Sequence, residues 1–210
     1  MLILAIETSA ARYGLALGEE GRVRAEVTRA GEGRDLGDML REALAATGAA
    51  VADIGAVAAD IGPGSLGSLR DGVAFANGLA YALRVPVYSF SSFELLAAAV
   101  GGDARLPVLC TRRANDGLAY VGLVKEGRLA VLRHGRLEEI APHVAGAHDA
   151  LALAGSFRDV AIPGVQVFDT GVEAPEARMM VQIGLAGRAA GHPLTAPVFP
   201  ITEQDGRFRG

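Results

Sequence analysis

Residues Asp60–Leu83 read DIGPGSLGSLRDGVAFANGLAYAL, and the fold turns on the purpose of this glycine loop. Gly62, Gly64 and Gly67 spell G-x-G-x-x-G between an apolar run and a small-residue helix. A dinucleotide fingerprint needs such glycines after a strand, a helix behind them, and an acid about twenty residues on for the ribose. The first two conditions are met. The third fails, because Val85-Pro86-Val87-Tyr88-Ser89 stands there. A Walker loop fails too: Ser68-Leu69 replaces the Lys-Ser/Thr pair, leaving no cation for the phosphates. A hydrolase elbow needs G-x-S-x-G, and Pro63-Gly64-Ser65-Leu66-Gly67 is one residue out of frame. Two readings remain: an anion at the free N–H groups of the helix N-terminus, or a tight turn that packs small residues closely. The turn is the preferred reading.

Working outward, the chain opens with a strand, Leu2–Glu7, and a hairpin, Tyr13–Ala30, turning at Glu20-Gly21. Leu36, Met39, Leu40, Ala43 and Leu44 fall at helical spacing within Asp35–Thr47, and Gly48 stops that helix. The run AVAADI (56–61) is a short buried strand, Ser68 is the expected N-cap of a helix to Leu83, and VPVYSF (85–90) is a further strand. Ser91 or Ser92 starts a short helix through Ala97. After Gly101-Gly102 the pattern begins again with PVLCTRR (107–113) and a hairpin over 119–133. The two hairpins carry matching Glu-Gly-Arg turns, Glu20–Arg22 and Glu126–Arg128. Further on, helices are expected over Pro142–Leu153 and Pro175–Ala190, with extended pieces at DVAIPG (159–164), VQVFDT (165–170) and PVFPI (197–201). Two β-rich αβ halves, each opening with three strands, predict a duplicated actin-like fold with ribonuclease-H-like lobes. The expected lobes are 1–101 and 102–210, with the last helix free to pack back on the first. A Rossmann sheet alternates strand and helix from its start, and this chain does not.

Composition narrows the function. The net charge of −4 and the pI near 5.6 argue against independent nucleic-acid or membrane affinity. Cys110 is the only cysteine, which excludes an internal disulfide and a multi-thiolate zinc site. No apolar run reaches the roughly 18–20 residues of a spanning helix, and the N-terminus lacks a secretory pattern. The expectation is a soluble, cytoplasmic protein. Lys125 is the only lysine among twenty basic residues. His143 and His148 are five apart, off the spacing that stacks two metal ligands on a helix face. His134 and His192 have no evident acid-base context. No metal site, cofactor site or catalytic constellation is expected.

Several of these stretches together resemble the TsaB family, also called YeaZ. They are ILAIETSA with YGLAL, DIGPGSLGSLRDGVAFANGLA, VPVYSFSSFELLA and the terminal PVFPI. The resemblance implies an inactive relative of the TsaD/Kae1 proteins within the actin, sugar-kinase and heat-shock ATPase superfamily. Active members use an acid after the first strand beside a glycine-rich hairpin. Here Glu7-Thr8-Ser9-Ala10-Ala11-Arg12 has no glycine, so a phosphate cannot approach that backbone. The implied role is a non-catalytic subunit in forming threonylcarbamoyladenosine on tRNA. Its implied partners are a TsaD-like catalytic subunit and a TsaE-like ATPase, with tRNA held only through the complex and self-pairing open to the lone chain. A basic face of Arg105, Arg112, Arg113, Arg128, Arg133 and Arg136 could assist there.

The resemblance also implies that the first two helices pair with the same helices of a partner. The expected interface is Leu36, Met39, Leu40, Ala43 and Leu44 on the first, with Leu69, Gly72, Val73, Ala76, Asn77 and Ala80 on the second. Asp71 is expected at its rim in the first helical turn, facing a partner arginine. The chain departs from the family pattern at Arg34-Asp35, at Leu66-Gly67-Ser68, at Asp71 and at Cys110-Thr111-Arg112. Two other classes therefore stay open: a diverged paralogue binding another partner, and an enzyme, whether the glycoprotease-like peptidase of older description or a phosphotransferase.

Overall fold

The computed structural model describes residues 1–19, 21–30, 35–101, 106–186, 188–191 and 196–202. Glu20, Arg34, Arg105 and His192, singled out above, lie outside the described residues. Residue contacts divide the chain into two units. The first holds Met1–Phe90 and Glu176–Pro200; the second holds Ser91–Pro175 and, among the described residues, 201–202.

The first unit is built around β1 (Leu2–Glu7), buried along its whole length. Burial on both faces is why its sequence is continuously apolar rather than alternating. It pairs antiparallel with β2 (Arg12–Glu19), which pairs antiparallel with β3 (Arg22–Ala30). On its other side runs β4 (Ile54–Asp60), parallel, then β5 (Val87–Phe90), also parallel. Between β3 and β4 lies α1 (Leu36–Thr47), and between β4 and β5 lies α2 (Leu66–Leu83). Leu2, Leu4 and Ile6 share one core cluster with Leu15 and Leu17 of β2, Met39 of α1 and Ala76 of α2. The strand period of two sends the remaining side chains to the opposite face. There α5 (Ala177–Ile183) approaches closely: a Cβ on Gly14 would lie 3.3 Å from the Ala177 Cβ, and one on Gly18 2.7 Å from Val181.

Turn and cap chemistry sets the helix ends. Asp35 caps α1, its carboxylate accepting the Asp38 N–H at 2.8 Å, and Gly48 ends it at φ 67°. The N-cap of α2 lies three residues before the expected Ser68. Ser65 is its N-cap, because the Ser65 N–H is given to the Ser9 carbonyl (3.1 Å) and its own carbonyl accepts from Leu69 (2.8 Å). That tertiary bond has no local sequence signal.

The second unit repeats the order. Strands β6 (Val108–Arg113), β7 (Ala119–Lys125) and β8 (Arg128–Gly135) form an antiparallel meander. Strands β9 (Ala150–Gly155) and β10 (Gln166–Asp169) add in parallel beside β6. The order β10-β9-β6-β7-β8 matches β5-β4-β1-β2-β3 strand for strand, and β11 (Ala190–Gly191) extends only the first sheet. This duplicated ribonuclease-H-like sheet is the actin-like fold that the sequence predicts. The α3 helix (Ser92–Val100), capped by Ser91 and Glu94, packs on β7, where Gly122 admits the Phe93 ring. The α4 helix (Leu137–Ala145) covers the other face.

Three expected elements are corrected. Residues 142–153 are not one helix: α4 ends at Ala145 and Ala150–Gly155 is a buried strand. A short apolar run does not reveal its period, and the sheet claims it. DVAIPG holds no strand. The helix expected over 175–190 stops at Ile183, where Gly184 follows at φ 76°. Among the described residues no helix is long and apolar enough to cross a membrane.

Candidate functional site

The two acids at the ends of the parallel strands are Glu7 on β1 and Asp60 on β4, both about 1% exposed. Each is engaged by its own following loop. Glu7 Oε1 accepts the Ser9 N–H and the Ser9 hydroxyl, both at 2.6 Å. Asp60 Oδ1 accepts the Gly62 N–H at 2.8 Å. A buried carboxylate is costly unless hydrogen-bonded, and these local donors satisfy that need with the chain's own atoms.

The glycine loop lies against the same β1 loop. A Cβ on Gly64 would sit 2.5 Å from the Ser9 carbonyl, and one on Gly72 2.2 Å from the Thr8 hydroxyl oxygen. Gly62 takes φ 102°, which only glycine adopts readily. Gly67, which completes the dinucleotide match, has open space around its Cβ position and an ordinary helical setting. The glycines thus serve backbone packing between Thr8-Ser9 and α2. Ser9 fills the space beside Gly64.

The other reactive groups are occupied or buried. Cys110 is fully buried, and burial pushes its thiol pKa far up, away from reactivity. The ring Nδ1 atoms of His143 and His148 lie 2.7 Å from the carbonyls of Glu139 and Ala145. His134 packs on Tyr120 with ring centroids 4.7 Å apart. Among the described residues no group of three His, Cys, Asp or Glu side chains could hold a metal ion. Of the expected basic face, Arg112 is buried and Arg113 stacks on Phe157 at 4.6 Å, while Arg128 and Arg136 are exposed and Arg133 is half-buried.

The expected interface stripe is turned inward. Leu36, Met39, Leu40 and Ala43 are buried under α1, and Leu44 packs against the same cluster. Leu69, Gly72, Val73, Ala76 and Ala80 are buried under α2. Asn77 is half-buried and bonded to Val198. An amphipathic stripe serves the nearest core first, and here the unit's own sheet takes it. The outward face of α2 carries Gly67, Arg70, Asp71, Ala74, Gly78, Tyr81 and Ala82; that of α1 carries Asp38, Arg41, Glu42, Ala45 and Ala46.

Asp71 also departs from expectation. Because α2 starts at Leu66, Asp71 lies in its second turn, and the first turn holds no acid. Its Oδ2 accepts the hydroxyl proton of the buried Tyr13 at 2.7 Å, a contact across 58 residues. Sequence reasoning could not find this pair, since nothing local links a strand tyrosine to an acid on a later helix.

The model of the TsaD family, tRNA N6-adenosine threonylcarbamoyltransferase, matches residues 26–174. A tRNA N6-adenosine threonylcarbamoyltransferase of Solidesulfovibrio magneticus is 36% identical over 52% of this chain and 35% of its own length. The tRNA threonylcarbamoyladenosine biosynthesis protein TsaB of Bacillus subtilis is 33% identical over 68% of this chain and 60% of its own. The chain therefore spans less than two thirds of these relatives. Among solved structures, YeaZ from Pseudomonas aeruginosa superposes with a TM-score of 0.75 at 23% identity, covering 96% of this chain and 99% of that one. A second Pseudomonas aeruginosa structure, of an uncharacterized protein with similarity to peptidase YeaZ, gives 0.78 at 24% identity over 96% and 98%. The chain belongs to the TsaD family, whose model matches more than half of it, and it is similar to TsaB and YeaZ proteins.

Proposed function

We propose that this protein is a non-catalytic subunit of the assembly that forms threonylcarbamoyladenosine on tRNA. It would scaffold a TsaD-like catalytic subunit, with a TsaE-like ATPase joining the complex. The observation that carries this reading is the filled glycine loop, with Ser9 packed on Gly64 and with Glu7 and Asp60 both bonded to their own loops. A site that uses its acids and glycines for internal packing leaves its acids less available to a metal cation and its loop backbone less available to a phosphate. The chemistry then belongs to the partner, and this chain supplies a surface. The same argument weighs against a phosphotransferase.

The surface proposed for the TsaD-like subunit is the outward face of α1 and α2, the side of these helices opposite to their buried stripes. Ala74 and Gly78 let a partner helix approach closely, and Asp71 stands at the edge of that approach. The acidic chain has too few clustered cations to hold tRNA alone at physiological salt, so tRNA is engaged by the assembled complex.

Reconstitution tests this. Purified chain, cognate TsaD-like and TsaE-like proteins and unmodified tRNA are combined, and the modified nucleoside is measured. We expect product with all components, a large loss when this chain is omitted, and none from this chain alone. ATP turnover or modified nucleoside from the chain alone would refute the non-catalytic reading.

A further inference from the structure

Strand β5 is the outermost of the five strands that the two sheets have in common. Its Val87 and Phe90 are buried, and the stretch 85–92 carries no charge except what neighbours bring to it. The Pro86 and Phe90 carbonyls accept the Val57 and Ile61 N–H groups at 3.0 and 2.9 Å. By the strand alternation, the backbone groups of Val87 and Ser89 therefore face away from β4. An uncharged edge with outward N–H and C=O groups is a template for a strand of another chain. The equivalent strand of the second sheet, β10, meets that hazard with charge, since its exposed Asp169 is ion-paired with Arg158 at 2.6 Å.

On β5 the cover comes from the chain's own later residues. Gly191 of β11 stands opposite Val87, and Ala190 opposite Tyr88. Past that two-residue ladder Arg188 takes over. Its Nη1 donates to the outward Ser89 carbonyl at 3.2 Å, and its guanidinium lies 3.6 Å from the centroid of the Phe90 ring. Gly191 also lets a second piece approach, because a Cβ there would lie 2.6 Å from the Ala196 carbonyl oxygen. That piece is held by Asn77 of α2, whose Nδ2 donates to the Val198 carbonyl at 2.9 Å and whose Oδ1 accepts the Val198 N–H at 3.1 Å. The Val198 side chain packs against the core cluster. Ala189 and Ala190 are exposed, so little apolar surface holds β11 down, and Arg188 and Asn77 supply the hold.

We propose that residues 188–191 and 196–198 form a latch that closes the β5 edge against a second copy of this chain, with Arg188 and Asn77 as its two catches. A second copy is the occupant excluded, because antiparallel pairing of β5 with β5 would join two identical edges with no like charges opposed. The latch goes beyond the function proposed above and does not depend on it.

The test compares the full wild-type chain with Arg188→Ala/Asn77→Ala by hydrogen exchange and sedimentation velocity. The double variant should exchange the Val87 and Val198 amides at least tenfold faster. It should also self-associate at least tenfold more tightly than wild type, with circular dichroism unchanged. Adding Ser89→Pro, which removes an outward N–H at a sheet edge, should return the wild-type sedimentation pattern. If the double variant unfolds, Arg188→Ala alone carries the same test, since it leaves the Val198 anchor in place. Faster exchange at Val87 with wild-type self-association would overturn the inference, as would self-association that survives Ser89→Pro. Unchanged exchange at both amides would overturn it too, by removing Arg188 and Asn77 as catches.

Discussion

Replacing Ala76 with glutamate separates the inward from the outward face of α2. Ala76 has no exposed surface and lies in the core cluster beneath the helix. Ala74, two residues earlier, is exposed. At Ala76 the larger side chain overpacks a filled core, at about 1–3 kcal/mol. Its uncompensated buried charge adds about 3–5 kcal/mol. The sum rivals the roughly 5–15 kcal/mol that stabilises a whole domain, so Ala76→Glu should leave the first unit largely unfolded. Ala74→Glu should stay within about 0.5 kcal/mol of wild type, as exposed substitutions do. Urea unfolding followed by far-UV circular dichroism reads both. The pH dependence has a definite sign. Burial raises the folded pKa of the new carboxyl above its unfolded value, so the variant loses stability as pH rises from the ordinary glutamate value up to the raised folded one and is least impaired in acid below that range. Equal urea midpoints for Ala76→Glu and Ala74→Glu at neutral pH would refute the assignment of faces.

Gly18→Leu should destabilise the first unit by several times RT, because even its Cβ would lie 2.3 Å from the Arg22 carbonyl and 2.7 Å from Val181; thermal unfolding checks this. Tyr13→Phe should cost about 0.5–1.5 kcal/mol through the lost Asp71 bond, measured by chemical denaturation. In the second unit, Asp169 has its pKa lowered by the Gly171 N–H and then by Arg158. Its carboxyl titration by NMR should therefore fall below that of an ordinary aspartate. The stability it contributes is present above the unfolded aspartate pKa and is lost as pH falls through the lowered value, a loss that Asp169→Asn should abolish. Isolated chain titrated with ATP in a calorimeter should show no tight binding; micromolar affinity would contradict the filled-loop argument.

The first unit was legible where local signals agree. The apolar run of β1, the hairpin glycine at Gly21, the helical spacing from Leu36 to Leu44 and the Gly48 stop each announce an element within a few residues. The repeated hairpin made the duplication visible before the second sheet was seen. What stayed hidden is set by distant contacts. Ser65 opens α2 through Ser9, and Asp71 answers to Tyr13. The helix expected over Pro142–Leu153 gives way at Ala150–Gly155 to a strand that pairs with β6. The faces of α2 were hardest. Ala74 and Ala76 are chemically the same, Gly72 and Gly78 likewise, and only the sheet beneath decides which of them are buried. A helix rich in small residues on every side carries little amphipathic signal.

In the proposed function this chain supplies a docking surface on α2 and leaves chemistry to its partner. Sedimentation velocity of the purified chain mixed with its cognate TsaD-like protein tests it most directly, with Ala74→Arg as the folded, surface-altered control. We expect a stable complex with the wild-type chain and its loss with Ala74→Arg, while circular dichroism stays unchanged. An Ala74→Arg chain that binds as tightly as wild type, or a wild-type chain that does not bind at all, would contradict it.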